Sequence, residues 1–190
     1  MRLLIMGPPG AGKGTQAKLI AARYGIPAVS TGDIFRAMQT ADTALAKQVR
    51  EIMASGGYIS DEITNQIVAD RLAQADCRTG FLLDGYPRTL QQVQNLDAHL
   101  DSAGTPIDAV VSLTADEDAV VGRLLKRAEI EGRADDNEGT IRTRQQVYAE
   151  QTAPLLDVYG QRGLVVEVDG LGSIDEVSDR IFAALDKVAV

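Results

Sequence analysis

Residues 7–16 read Gly-Pro-Pro-Gly-Ala-Gly-Lys-Gly-Thr-Gln. Gly7 to Lys13 fit the spacing G-x-x-x-x-G-K, a loop that cradles a phosphate chain. Glycines let successive main-chain N–H groups curl inward toward an anion. The N-terminus of a following helix adds its partial positive charge, and Lys13 brings a full charge to the outer phosphates. The chemistry suggested is nucleotide binding and phosphoryl transfer. Gly14 follows the lysine and the hydroxyl comes one residue later, at Thr15. A Mg²⁺ ion is therefore expected to be reached through water and not by that hydroxyl directly.

A second signal is Phe81-Leu-Leu-Asp84-Gly85. An apolar strand ending in an aspartate can place a carboxylate beside a phosphate loop, where it holds a water of Mg²⁺. Phosphoryl transfer also needs cations around the transferring group. Arg36, Arg88, Arg123, Arg127, Arg133 and Arg144 are the candidates. Arg36 follows Ser30-Thr-Gly-Asp33, where Ser30 or Thr31 could cap a helix. Arg88 follows the rigid turn Gly85-Tyr86-Pro87. Arg123 and Arg127 share one helix face by their spacing of four, turned from Val120, Val121, Leu124 and Leu125. Arg144 lies at the edge of an apolar stripe of Ile141, Tyr148, Leu155 and Tyr159, where it needs a partner: Asp135, Asp136 or a phosphate.

These residues need a frame. Leu3 to Met6 read as a buried strand leading into the glycine loop, and Lys13 to Tyr24 as the helix leaving it, with Ala17, Leu19, Ile20 and Ala21 inward. Apolar runs recur at Phe81–Leu83, Ala109–Leu113 and Leu164–Val168. Helical patterns separate them over 31–55 in two pieces, 61–75, 89–101, 116–131, 138–160 and 173–188. Strands alternating with helices predict an α/β fold with a parallel sheet covered on both faces. Residues 30–60 and about 127–137 are lean in strand signal and read as additions to one domain spanning 1–190.

Composition sets bounds. The chain has 190 residues, 45% hydrophobic, a net charge of −8 and one cysteine. No apolar stretch approaches the ~18 residues of a membrane span. A single Cys77 excludes a disulfide framework and a multi-cysteine zinc site and fits the cytoplasm. Net negative charge argues against nucleic acid as a partner.

Taken together, the motifs resemble the adenylate kinases. Gly7 to Gln16 is similar to that family's phosphate loop, including the order Lys-Gly-Thr. Ser30-Thr-Gly-Asp33 with Arg36, then Asp84-Gly-Tyr-Pro-Arg88 with Gln92, resemble its monophosphate-binding segments. Arg133-Ala-Asp-Asp136 with Arg144 resembles the exit of its lid. The resemblance implies a P-loop kinase fold with a five-stranded sheet, an AMP-binding arm over 30–59 and a short, zinc-free lid over 127–137, both mobile. It implies that Gly10, Ala11, Gly12, Lys13, Gly14, Thr15, Arg127 and the Gly172 carbonyl hold ATP, with Arg123 on the same side. Thr31, Arg36, Gly57, Tyr58, Ile59, Gly85, Tyr86, Pro87, Arg88 and Gln92 would hold AMP. Arg133 and Arg144 would reach the phosphates between the two. The implied reaction is transfer from Mg-ATP to AMP, giving two ADP, by a monomer. Lys13, Arg88, Arg123, Arg133 and Arg144 form the catalytic set, and Asp84 is the water-mediated magnesium residue. Glu129 and Glu131 read as solvent-exposed spacers in the lid.

Two other readings stay open at this point. One is a kinase of the same fold acting on UMP, CMP or a shikimate-like alcohol; Gln92, able to donate and accept toward adenine, favours AMP. The other is a nucleotide-binding switch, which would need no second arginine set.

Overall fold

Alternation along the first strand decides the architecture. Leu3 and Ile5 face one way and Leu4 and Met6 the other, and all four are at most 4% exposed. A strand buried on both faces belongs to a parallel sheet covered by helices on both sides. The structure is a computed structural model that describes residues 1–38, 40, 42–55, 59–131 and 137–188, with backbone alone at 117–119, 127 and 131. Its strands are β1 (Arg2–Met6), β2 (Ala28–Ser30), β3 (Phe81–Asp84), β4 (Ala109–Thr114) and β5 (Val165–Asp169). They form one five-stranded sheet in the order β2-β3-β1-β4-β5, every pair parallel. The α/β fold class is borne out. Periodicity missed β2, which is only three residues long and ends at Ser30, where the region lean in strand signal begins.

The helices divide between the faces. On one, α1 (Lys13–Tyr24) and α9 (Ile174–Leu185) pack Ala17, Ile20, Val177 and Ile181 on Leu3, Ile5 and Val111. On the other, α4 (Asp61–Leu72), α5 (Leu90–Ser102) and α8 (Leu155–Gln161) pack Val68, Leu96 and Tyr159 on Leu4, Met6 and Leu83. Each buried Val, Leu, Ile or Met among these contributes roughly 1.5–3 kcal/mol by leaving water. Leu19, expected inward, is 36% exposed, and Gln16 is buried in its place. Gln16 is satisfied there: Nε2 donates to the Ile174 carbonyl at 3.0 Å, and Oε1 accepts from Ser178 Oγ at 3.1 Å.

Helices α2 (Thr31–Met38) and α3 (Ala44–Ser55) have a small core of their own in Phe35, Val49 and Ile59. Helix α6 (Glu117–Glu131) extends through the first half of the expected lid. Ala128 to Glu131 are thus helical, and Glu129 is exposed; residues 132–136, including Arg133, Asp135 and Asp136, lie outside the described residues. Leu125, expected inward on this helix, is 44% exposed.

The helix expected over 138–160 is interrupted. Helix α7 (Glu138–Val147) passes into a π turn at Tyr148–Thr152, and α8 begins after Pro154. The cause is Pro154, which lacks an N–H and whose ring opposes the carbonyl four residues back. Asn137 starts α7 cleanly, its Oδ1 accepting from Thr140 N at 3.0 Å.

Candidate active site

Strands β1 and β3 are neighbours, yet the chain leaves them to opposite faces of the sheet. The helix after β1 packs on one face and the helix after β3 on the other. A crevice at the carboxyl ends of strands is the expected ligand site of such a sheet. Here it is a cleft of about 700 Å³.

The loop after β1 forms one wall. Gly7, Gly10 and Gly12 have φ of 145°, 90° and 93°. A Cβ on Gly7 would come within 2.5 Å of the Leu113 carbonyl oxygen, and one on Gly10 within 2.7 Å of that of Val120. Both glycines are therefore required by close packing on β4 and α6. Lys13 folds back over the loop, its Nζ donating to the carbonyls of Gly7 at 2.8 Å and Pro8 at 2.9 Å. Gly14 stands over the end of β3: a Cβ there would lie 3.7 Å from Asp84 Oδ2.

Asp84 lies at the cleft floor, in register with Ile5 of β1 and Ser30 of β2. Burial pushes its carboxyl above the usual range, while Lys13, Arg88 and Arg36 oppose that shift. Among the described residues no group of three His, Cys, Asp or Glu could hold a metal ion. Asp84 is the carboxylate at the cleft floor that could hold a water of Mg²⁺, an ion usually bound by one or two carboxylates together with phosphates.

The turn after β3 forms the opposite wall. Its Tyr86–Pro87 peptide is cis. The Gly85 carbonyl accepts from Thr31 Oγ1 at 2.9 Å and from Arg88 Nε at 2.7 Å. Arg36 pairs with Asp33 one turn earlier on α2. Arg123 Nη1 donates to the Gly170 carbonyl at 3.1 Å, tying α6 to the loop after β5. Among the described residues, Lys13, Lys18, Arg36, Arg88, Arg123 and Arg144 line the cleft against Asp33 and Asp84. In a chain of net charge −8, that local excess of cations marks a site for a polyanion.

A model of the adenylate kinase family matches residues 5–164. The chain belongs to the adenylate kinase family. It is 58% identical to the adenylate kinase of Nocardioides sp. over 188 residues, 99% of this chain and 98% of that one. The adenylate kinase of Clavibacter michiganensis is 60% identical over 184 residues, covering 97% and 92%. That of Thermobifida fusca is 52% identical over 185 residues, covering 97% and 98%. The family makes the chain a phosphotransferase.

Of the adenylate kinase residues expected from sequence, Gly10 to Thr15, Arg36, Asp84 to Arg88, Arg123, Arg144 and Gly172 all line the one cleft. Gly172 has φ of 118° and sits beside Ser173 and Ile174 at its far end. Thr31, 1% exposed, lies behind the wall and braces Gly85. Ile59 belongs to the small core of the arm. Gln92 is 2% exposed, with its amide bonded to Arg88 N and Asp61. Gly57, Tyr58, Arg133 and the Arg127 side chain lie outside the described residues.

Three bracing side chains were missed. Gln145 Nε2 donates to the Pro9 carbonyl at 3.1 Å, Thr152 Oγ1 to the Arg88 carbonyl at 3.0 Å, and Thr89 Oγ1 to Asp61 Oδ2 at 2.9 Å. The first two connect residues 136 and 64 apart, so no local pattern announces them.

Proposed function

We propose that the chain transfers the terminal phosphoryl group of ATP to AMP, reversibly, yielding two ADP. The observation that supports this most directly is the pairing of two cationic walls across one cleft. Lys13 and the glycine loop stand on one side, and Arg36 and Arg88 on the other. A single-nucleotide switch would need only the first wall. Family membership supplies the acceptor class.

In this reading Gly10 to Thr15 hold the ATP phosphates, and the Gly172 carbonyl meets its base. Thr31, Arg36, the 57–59 backbone, Gly85 to Arg88 and Gln92 hold AMP. An oxygen of the AMP phosphate attacks the terminal phosphorus in line. The new O–P bond forms as the bond to the bridging oxygen breaks, and that oxygen leaves as part of ADP. The nucleophile is already anionic, so no general base is required. Lys13, Arg88, Arg123, Arg133 and Arg144 offset charge on the transferring group. Asp84 would hold Mg²⁺ through water, and the ion would neutralise charge on the ATP phosphates. We take the enzyme to be a cytoplasmic monomer. Among the described residues no helix is long and apolar enough to cross a membrane.

The test is ADP production from Mg-ATP with AMP, UMP, CMP, GMP, shikimate or no acceptor. Rapid turnover with AMP is expected. Turnover with UMP or CMP but not AMP would keep the phosphate clamp and overturn the acceptor. Turnover independent of any acceptor would overturn the second wall.

A further inference from the structure

The Gln92 amide has a direction. Its Oε1 accepts from the main-chain N–H of Arg88 at 2.7 Å, and its Nε2 donates to Asp61 Oδ1 at 2.7 Å. Turned over, the amide would set two donors together at Arg88 and two oxygens together at Asp61, so only one orientation is satisfied. At 2% exposure, little water reaches Gln92 to soften either contact. Asp61 is itself held. Its Oδ2 accepts from Thr89 Oγ1 at 2.9 Å, and the same hydroxyl accepts from Gln92 N at 3.2 Å as the cap of α5. Asp61 begins α4, 31 positions before Gln92.

We propose that Asp61 sets the choice of acceptor base by locking the Gln92 amide in one orientation. The inference rests on the reading above that Gln92 meets the base of the acceptor monophosphate. A primary amide has two N–H groups and two lone pairs. One N–H is used at Asp61 and one lone pair at Arg88. What remains is one donor and one acceptor in a fixed order.

That order discriminates. Adenine presents a ring-nitrogen acceptor beside an amino donor. Hypoxanthine and guanine present a ring N–H donor beside a carbonyl acceptor. A glutamine free to turn over serves both; a locked one serves one. A site that hydrogen-bonds one polarity leaves buried groups unpaired with the other, which is the strong form of discrimination. Cytosine shares adenine's order and uracil shares guanine's, so the lock sorts bases by edge polarity and not by ring size. Asp61 acts through Gln92 and is a positioning residue.

AMP and IMP differ only at this edge and are the probes. kcat/KM for each, with Mg-ATP, is measured on the full chain as wild type, Asp61→Asn, Gln92→Leu and the double variant. Asparagine keeps the shape of Asp61 but can donate to a reversed amide, so the substitution removes the Asp61 half of the lock and leaves the Arg88 N–H alone to oppose reversal. The wild type should strongly prefer AMP. Asp61→Asn should narrow the AMP-over-IMP ratio at least about tenfold, within what one bidentate base contact carries. The double variant should discriminate no less than Gln92→Leu alone. If circular dichroism shows that Asp61→Asn does not fold, Asp61→Ser is read by the same ratio. A wild-type ratio in the Asp61 variant, with a collapsed one in Gln92→Leu, overturns the lock and leaves Gln92 as the base reader. A wild-type ratio in Gln92→Leu overturns both. Additive narrowing in the double variant overturns action through Gln92. No AMP-dependent turnover in the wild type would instead remove the phosphotransfer reading beneath.

Discussion

Thr152 Oγ1 donates to the main-chain carbonyl of Arg88 at 3.0 Å. The π turn thus grips the arginine turn directly. Gln92 Oε1 accepts from Arg88 N, and Arg88 Nε donates to the Gly85 carbonyl. With backbone and side chain both fixed, the guanidinium is placed before any phosphate arrives, which is what charge stabilisation requires. Arg88→Ala should lower kcat/KM for AMP by about 10³, as for other arginines that compensate phosphoryl transfer. Arg88→Lys should not restore it, because a single ammonium does not reproduce the planar fork. Steady-state kinetics checks this; a loss below tenfold would make Arg88 structural.

Lys13 presents a different case, since its ammonium satisfies carbonyls of its own loop. Those contacts are local and half-exposed, so their loss should leave the fold intact. Lys13→Ala should reduce kcat by about 10²–10³, the cost of one donor in a preorganised anion site. Far-UV circular dichroism should be unchanged. Near-normal turnover would remove Lys13 from the chemistry.

Two glycines should respond to alanine with opposite signs. Gly7 has φ of 145°, and a Cβ would meet the Leu113 carbonyl oxygen at 2.5 Å. Gly7→Ala should cost about 1–3 kcal/mol for the strained backbone alone. Gly122 lies inside α6 with nothing within 4 Å of an added Cβ. Gly122→Ala should stabilise by about 0.5–1 kcal/mol through helix propensity. Urea denaturation of both variants gives the comparison.

What was legible in the sequence follows the range of the interactions. The glycine loop, Asp84 and Arg88 were readable because each depends on a strand end and a turn within a few residues. Four strands were readable because β1, β3 and β4 show as apolar runs buried on both faces, and β5, an edge strand with only Val168 buried, still carries three valines. Strand β2 was not, because three residues carry too little pattern. The break at residues 148–154 could have been seen from Pro154 alone, but the regular stripe from Ile141 to Tyr159 concealed it. Gln92 was singled out as a base reader, yet its bonds to Asp61 and Arg88 were invisible. Asp61 carries no motif, and α4 and α5 bring it to Gln92 only through the packing of Val68 and Leu96 on the sheet.

Asp186 should make stability depend on acid. Its carboxyl is held below the usual range first by the Tyr24 hydroxyl at 2.7 Å and then by Arg23, also at 2.7 Å. A carboxyl with a depressed folded-state pKa stabilises above its unfolded pKa of about 3.9. That contribution is lost as pH falls through the folded value. Asp186→Asn should therefore lower Tm at pH 7, and the deficit should begin to shrink as pH falls below about 4 and vanish only below the folded-state value. A deficit that is equal at both ends would assign it to packing of Tyr24 on Phe182.

Tyr159 supplies the opposite kind of test. Its ring is 1% exposed among Leu155, Leu96 and Val93. Its hydroxyl is the one buried side-chain polar atom among the described residues without a hydrogen-bond partner. Burial pushes the phenol well above its usual pKa, with Asp97 adding to the shift, so it stays neutral at physiological pH. A buried polar group left unpaired costs about 1–3 kcal/mol. Tyr159→Phe removes that atom and keeps the ring. The variant should be at least as stable as the wild type, with Tm unchanged or raised and turnover unaffected. A fall in Tm by several degrees would mean that the hydroxyl contributes favourably where it lies, and that the core beneath the Arg88 turn depends on it.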